Sequence, residues 1–263
     1  MCRHLAYLGP PATLRSVIID PPHGLYRQAW APRHQRHGTV NADGFGVGWY
    51  ADGDPRPARY RHPGPIWGDE SFADVARVTT AGAMLAAVRS ATEETDHGAA
   101  AVAPFVSGRW LFSHNGRVDG WPGSVAGLAA ALPAEALLRL EARVDSAVLW
   151  ALVLDRLDHG RAPGEALTDV VGMLRAAGIT GRFNFLLTDG RVIAATAAGD
   201  TLFYRRRDDA VLVASEPGDD EPGWTAVPGD SAITATPQQV SVTGLDDASP
   251  RDETSPNGRI SIR

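Results

Sequence analysis

Arg182-Phe-Asn-Phe-Leu-Leu-Thr-Asp-Gly-Arg-Val-Ile-Ala-Ala-Thr196 reads as two apolar runs joined by Asp189-Gly190, a strong signal for a tight β-hairpin. The pattern just before it is different. Residues 124–132, 133–142, 145–157 and 164–178 are rich in Ala and Leu at three- and four-residue spacing, the period of consecutive amphipathic helices. Further upstream, residues 2–8, 46–52, 83–90 and 109–115 form short strand-like runs between Gly, Pro and Asp punctuation. The first half therefore reads mostly as sheet. Downstream of the hairpin, residues 201–207, 210–215, 231–236 and 239–244 alternate again. Two groups of strands bracket a helical block, and the regular strand-helix alternation of a parallel βαβ sheet is missing, so the expectation is a layered α+β domain. It should span residues 2–245. Residues 246–263 are polar and poor in large apolar side chains, and read as a loosely ordered tail.

Composition narrows the partners. A chain of 263 residues with 44% hydrophobic content can bury a substantial core. Its 25 basic and 31 acidic residues leave a formal charge of −6, and neither sign forms a long block, which argues against nucleic acid. No stretch approaches the roughly 18 continuous apolar residues of a membrane span. The start Met-Cys-Arg-His-Leu-Ala-Tyr lacks the basic and then apolar order of a signal peptide, which places the protein in the cytoplasm. One cysteine excludes an internal disulfide framework and any site of several cysteines.

That cysteine is Cys2. Removal of Met1, which a small second residue permits, leaves a thiol and a free α-amine on one residue. With reference pKa values of about 8.5 for a thiol and about 7.7–8.0 for an α-amine, the amine can serve as the local base for the thiol. No separate catalytic histidine is required. A lone cysteine is otherwise most often a small buried hydrophobe. Ser113-His114-Asn115-Gly116 ends a strand-like run with an amide side chain beside a glycine N–H, a pair that can form an oxyanion hole or simply a tight turn. Arg89 stands where a strand gives way to Ser90-Ala91-Thr92, and its fork suits a carboxylate. Asp145 opens a helical run, either as its N-cap or as a partner for a substrate ammonium. The glycine-dense Asn41-Ala-Asp-Gly-Phe-Gly-Val-Gly-Trp49 feeds a strand with no helix after it, which rules out the dinucleotide fingerprint. His34 and His37 could join Cys2 on zinc, but no further ligands stand at a fixed spacing.

In this order and spacing, Met-Cys, Asp43-Gly-Phe-Gly-Val-Gly-Trp49, Val88-Arg-Ser-Ala-Thr92, Ser113-His-Asn-Gly116 and Asp145-Ser-Ala-Val148 together resemble the class II glutamine amidotransferases, the N-terminal-nucleophile glutaminases. The resemblance covers about residues 2–245 and implies an αββα four-layer sandwich of two antiparallel sheets flanked by helices. It implies that Cys2 is nucleophile and, through its amine, base. Asn115 and Gly116 would form the oxyanion hole, Arg89 would grip the α-carboxylate of a glutamyl group and Asp145 its α-ammonium. Thr92 and Gly44 match motif positions near the site. The substrate implied is a small γ-glutamyl amide, with no metal and no organic cofactor.

Residues 25–43, with 65–69 and 213–217, are similar to a free-standing branch of that family, the amidohydrolases of the ergothioneine pathway. That branch implies a leaving amine bearing a trimethylammonium group, which favours an aromatic face. Trp30, Trp49, Tyr50 and Trp67 are the candidates, each equally able to serve as core filling. Trp67 stands out because it lies in a Pro/Gly-rich loop. The rival expectations are a glutaminase subunit passing ammonia to a partner chain, and a non-catalytic redox or binding protein that uses an exposed Cys2.

Overall fold

The computed structural model describes residues 2–92 and 95–246. The tail expected at 246–263 falls, apart from Asp246, outside the described residues. Among those described are thirteen strands and seven α-helices. The chain opens with β1 (Arg3–Thr13), α1 (Leu14–Ile18), α2 (Leu25–Gln28), β2 (Phe45–Trp49) and β3 (Ala58–His62). Next come α3 (Glu70–Val78), β4 (Thr80–Val88), β5 (Phe105–Ser107) and β6 (Trp110–Val118). The helical block is α4 (Ala126–Ala130), α5 (Ala134–Leu138), α6 (Asp145–Asp158) and α7 (Pro163–Ala176). The remainder is β7 (Gly181–Thr188), β8 (Ile193–Ala197), β9 (Phe203–Arg207), β10 (Ala210–Ala214), β11 (Thr225–Ala226), β12 (Ser231–Ala235) and β13 (Val240–Gly244).

The strands form two antiparallel sheets. The first runs β11-β9-β10-β1-β4-β2-β3 and the second β13-β12-β8-β7-β6-β5. Strand alternation explains why they stack. Along β1, Leu5 and Tyr7 join one core while Ala6 and Leu8 join another, and in β4 Met84, Ala86 and Val88 part in the same way from Ala83 and Leu85. The inward set meets Leu111, Leu186, Ala195 and Ile233 of the second sheet, making the layer between the sheets. The outward set of the first sheet packs with Leu14, Val17, Leu25 and Phe72 from α1 to α3. On the far side, Phe112, Phe183 and Phe185 pack with Leu149, Trp150, Val153, Val170 and Leu174 of α6 and α7. Phe112 stacks on Trp150 at 5.0 Å between ring centroids. This is the four-layer αββα sandwich.

The first half also holds three helices where the sequence reads mostly as sheet. Two of them, α1 and α2, are five and four residues long, too short for a 3.6-residue period to show. The nine-residue α3 buries only Phe72 and Ala76, so its apolar face is two residues wide. Asp69 caps it by accepting from the Phe72 N–H at 3.1 Å. No helix among the described residues is long and apolar enough to cross a membrane.

The glycine run before and through β2 is where the layers come together. An added Cβ would stand 2.4 Å from the Val102 Cγ2 at Gly44, 2.4 Å from the Ala103 carbonyl oxygen at Gly46, and 2.6 Å from the Leu111 side chain at Gly48. Phe45, Val47 and Trp49 face the opposite way, into the outer core. At Gly44 φ is +128°, a second reason for glycine.

Candidate functional site

The N-terminal end of β1, flanked on both sides by β10 and β4, carries Cys2. The Cys2 Sγ lies 4.0 Å from the Ser90 carbonyl oxygen. A cavity of about 20 Å³ at this point is lined by Cys2 and Arg89 from the first sheet, Ser113 and His114 from the second, and Ser146 from α6. Val102 and Ala103 close its side. Larger hollows of about 290 and 480 Å³ lie elsewhere, with neither Cys2 nor Arg89 in their walls. Their size does not outweigh the chemistry gathered at Cys2.

Arg89 is buried and its cationic head is braced by neutral acceptors. One terminal nitrogen, Nη2, donates to Thr95 Oγ1 at 3.2 Å and to the Asp96 carbonyl at 3.0 Å, and Nη1 reaches the Asp43 carbonyl at 3.5 Å. Among the described residues no carboxylate pairs with it. The Arg89 N–H also donates to the Gly44 carbonyl at 2.8 Å, and the Thr92 carbonyl accepts from Thr95 Oγ1 at 2.6 Å. Gly44 and Thr92 therefore hold Arg89 through their backbones.

On β6, alternation sends Ser113 and Asn115 towards the space between the sheets and His114 towards α6. Ser113 Oγ stands 3.1 Å from His4 Nδ1 across the interlayer. Burial pushes the His4 ring down to about 3, with the nearby Arg3 charge acting the same way, so the ring is neutral at neutral pH. His114 Nε2 is 2.8 Å from the Arg182 carbonyl, an acceptor, which assigns the proton to Nε2 and leaves Nδ1 to accept from Ser146 Oγ at 3.0 Å. Asn115 is fully buried, with its Nδ2 3.3 Å from Ser215 Oγ and its Oδ1 without a partner among the described residues. Gly116 admits no side chain: a Cβ there would meet the Arg182 carbonyl oxygen at 1.9 Å and His114 Nε2 at 2.6 Å.

Asp145 is not the N-cap of α6. Val144 occupies that position with no side-chain cap, and Asp145 is the first helical residue. Its Oδ2 accepts from the Val118 N–H at 3.0 Å and its Oδ1 from the Ser146 N–H at 2.7 Å. The carboxylate thus ties α6 to β6, and the next residue, Ser146, reaches the cavity wall.

The four aromatic candidates separate by position. Phe45 pairs with Val88, beside Arg89, whereas Trp49 pairs with Met84, four residues further along the strand, a distance of about 13 Å at strand spacing. Trp49 is therefore in the outer core at the far end of β2, and the Tyr50 hydroxyl donates to the Arg109 and Thr188 carbonyls. Trp67 lies on a single 3₁₀ turn after β3, whose His62 end pairs with Phe45 at the cavity end of the sheet. It is 40% exposed and meets Trp30 edge-on at 5.5 Å. Trp30 already carries the Arg27 guanidinium over its ring at 5.2 Å.

A buried charge cluster below Cys2 has no sequence signature. Arg3 lies 3.8 Å from both Asp200 and Glu216, and Arg182 lies 3.4 Å from Asp200. Glu216 also accepts the Arg33 and His34 N–H groups at 2.6 and 2.8 Å, holding residues 31–41 beside the site. In that loop Gln35 Oε1 accepts from Arg3 Nε at 3.1 Å and from Asn41 Nδ2 at 3.0 Å. His34 packs on Phe203 at 5.2 Å. Among the described residues no group of three or more His, Cys, Asp or Glu side chains is placed to hold a metal ion.

Residues 25–214 match the family model of the class II glutamine amidotransferases. The chain belongs to the class II glutamine amidotransferase family. It is 43% identical over 248 residues to the γ-glutamyl-hercynylcysteine sulfoxide hydrolase of Mycobacterium tuberculosis, covering 94% of this chain and 98% of that protein. It is 42% identical to the protein of the same name from Mycolicibacterium smegmatis, covering 93% of this chain and all of the relative. Among solved structures, a glutamine aminotransferase class-II domain protein from Silicibacter pomeroyi superposes with a TM-score of 0.67 at 26% identity, covering 93% of this chain and 99% of that one.

Proposed function

We propose that this protein hydrolyses the γ-glutamyl amide bond of γ-glutamyl-hercynylcysteine sulfoxide, releasing glutamate and hercynylcysteine sulfoxide. The observation that carries the reading is the shared cavity of Cys2 and Arg89 at the edge of the central strand, in a chain that matches two hydrolases of that name over almost its whole length.

The Cys2 thiol transfers its proton to the residue's own α-amine and attacks the γ-carbonyl carbon. The carbonyl oxygen becomes an oxyanion, stabilised by the Asn115 amide and the Gly116 N–H. Collapse breaks the C–N bond, the amine leaves with the proton held by the α-ammonium, and a γ-glutamyl thioester remains on Cys2. Water, deprotonated by the same amine, then releases glutamate and the thiol. Arg89 receives the substrate α-carboxylate, and its acceptors among the described residues are neutral oxygens. Asp145 receives the α-ammonium on the acceptor capacity left by Val118 and Ser146.

Arg89→Lys is expected to raise KM for the γ-glutamyl amide about 10- to 100-fold, since a charged hydrogen bond contributes about 1.5–3 kcal/mol and a lysine offers no fork. Initial rates against substrate concentration check this. A substrate lacking the α-carboxylate should no longer distinguish the variant from the parent.

Trp67 is the aromatic face for the trimethylammonium group, because its ring is exposed at the correct end of the sheet and Trp30 already has a cation. Trp67→Ala should lower kcat/KM for the sulfoxide substrate about 3- to 30-fold, the range of one cation–π contact, and leave glutamine turnover unchanged. Side-by-side glutamate release from the sulfoxide and from glutamine tests both this residue and the substrate. Equal turnover of the two by the parent protein would make it a plain glutaminase.

A further inference from the structure

We infer that Ser215 is a positioning residue that turns the Asn115 amide so that its NH₂ group, and not its oxygen, faces the developing oxyanion. The inference rests on the γ-glutamyl hydrolase reading and on the place of Asn115 within it. Ser215 follows β10 directly and is fully buried. Its N–H donates to the His4 carbonyl at 2.9 Å, and its Oγ accepts from the His4 N–H at 3.0 Å. Two bonds thus fix it to β1, two residues past the nucleophile. From there its Oγ reaches across the interlayer to the Asn115 amide at 3.3 Å.

The two ends of an amide have the same shape, so hydrogen bonds decide which end points where. With Nδ2 towards Ser215, the hydroxyl accepts twice, its own proton has no acceptor among the described residues, and Asn115 Oδ1 is buried without a partner. An unpartnered carbonyl oxygen at the other end would repel an oxyanion. Turning the amide by 180° resolves both faults. The Ser215 hydroxyl then donates to Oδ1, and the NH₂ group is presented where the oxygen had been. A buried donor left open in this way is what an oxyanion site requires before substrate arrives. Because the His4 N–H already occupies one lone pair of Ser215, the hydroxyl proton is left for Asn115. The same contact ties the strand carrying Cys2 to the strand carrying the oxyanion donors.

The test compares Ser215→Ala and Ser215→Cys with the parent. Removal of the hydroxyl should lower kcat roughly 10- to 100-fold, short of the loss of the amide itself, with KM changed less than about twofold. Affinity for the glutamyl γ-aldehyde, which forms a thiohemiacetal on Cys2 and mimics the tetrahedral intermediate, should fall by the same factor as kcat/KM. Affinity for glutamate, which carries no tetrahedral centre, should hold. The cysteine variant keeps the side chain's shape with a slightly larger atom but has only a weak S–H donor, so it should lie close to the alanine variant. A cysteine variant with the parent's kcat would reduce Ser215 to packing and overturn the inference, as would equal losses in aldehyde and glutamate binding. If the parent itself releases no glutamate from any γ-glutamyl amide, it is the hydrolase reading that fails.

Discussion

Cys2→Ala is expected to fold as the parent does and to release glutamate from the sulfoxide substrate slower by a factor on the order of 10⁴ or more, the scale on which a covalent enzyme loses its nucleophile. Stability should hardly move. Cys2 is half-buried, its thiol makes only a long 4.0 Å approach to the Ser90 carbonyl among the described residues' hydrogen bonds, and it precedes the first residue of β1. The α-amine survives in this variant, as do Arg89 and the oxyanion donors, so substrate should bind without turning over. A matched pair of measurements decides the matter: steady-state glutamate release and the thermal midpoint. A variant that retains parental turnover would remove covalent catalysis from the account. The redox or binding alternative would then be the better reading of Cys2.

The second large effect should come from Asn115→Ala. Loss of one oxyanion donor costs about 2.7–4 kcal/mol of transition-state stabilisation, or about 10²–10³ in kcat. KM should stay near the parental value, because the amide acts on an oxygen that becomes charged only after attack. Burial adds a cost in stability. The Asn115 side chain is fully enclosed and borders Ser215, so its truncation leaves a void and a hydroxyl with fewer partners, worth about 1–3 kcal/mol. Chemical denaturation reads that second number separately. A fall in kcat that merely tracked the fraction unfolded would remove Asn115 from the oxyanion site.

Much of this architecture is legible in the sequence because it rests on long periodic elements. The hairpin of β7 and β8 follows from Asp189-Gly190 between two alternating runs, and α6 and α7 each show four turns of apolar spacing. The short elements are not legible. Neither α1 nor α2 completes two turns, and β3 is an edge strand of Ala-Arg-Tyr-Arg-His whose polarity masks its alternation. The site divides along similar lines. Cys2 and Arg89 stand next to strand ends beside punctuation, which draws attention to them, whereas Asn115 and Gly116 lie inside β6, paired with Asn184 and Phe183, and not at the strand end or tight turn that their sequence suggests. Trp67 stands out in the sequence by its Pro/Gly-rich loop, and strand direction adds that Trp49 and Tyr50 lie at the end of β2 away from Arg89. Arg3, His4 and Asp200 carry no signal in the sequence, and Ser215 appears only within the stretch 213–217 with no role attached, because their meaning depends on which strands lie opposite one another. Asp145 is ambiguous for another reason: an acidic residue opening a helical run is either its N-cap or a partner for a ligand, and only the fold shows that Val144 takes the cap position and that Asp145 bonds the neighbouring strand.

The anchoring of residues 31–41 bears on which of their side chains can change. Glu216 holds that loop through the N–H groups of residues 33 and 34, and every non-proline residue supplies an identical N–H. Substitution of the Arg33 or His34 side chain therefore leaves the Glu216 attachment in place, whereas Gln35 holds the loop through its own side chain. Arg36 and His37 are exposed, whereas the Arg33 side chain pairs with Asp220 and His34 packs on Phe203. The position of this stretch of backbone is thus set largely by main-chain atoms, and the exposed side chains of Arg36 and His37 can change without touching the Glu216 attachment.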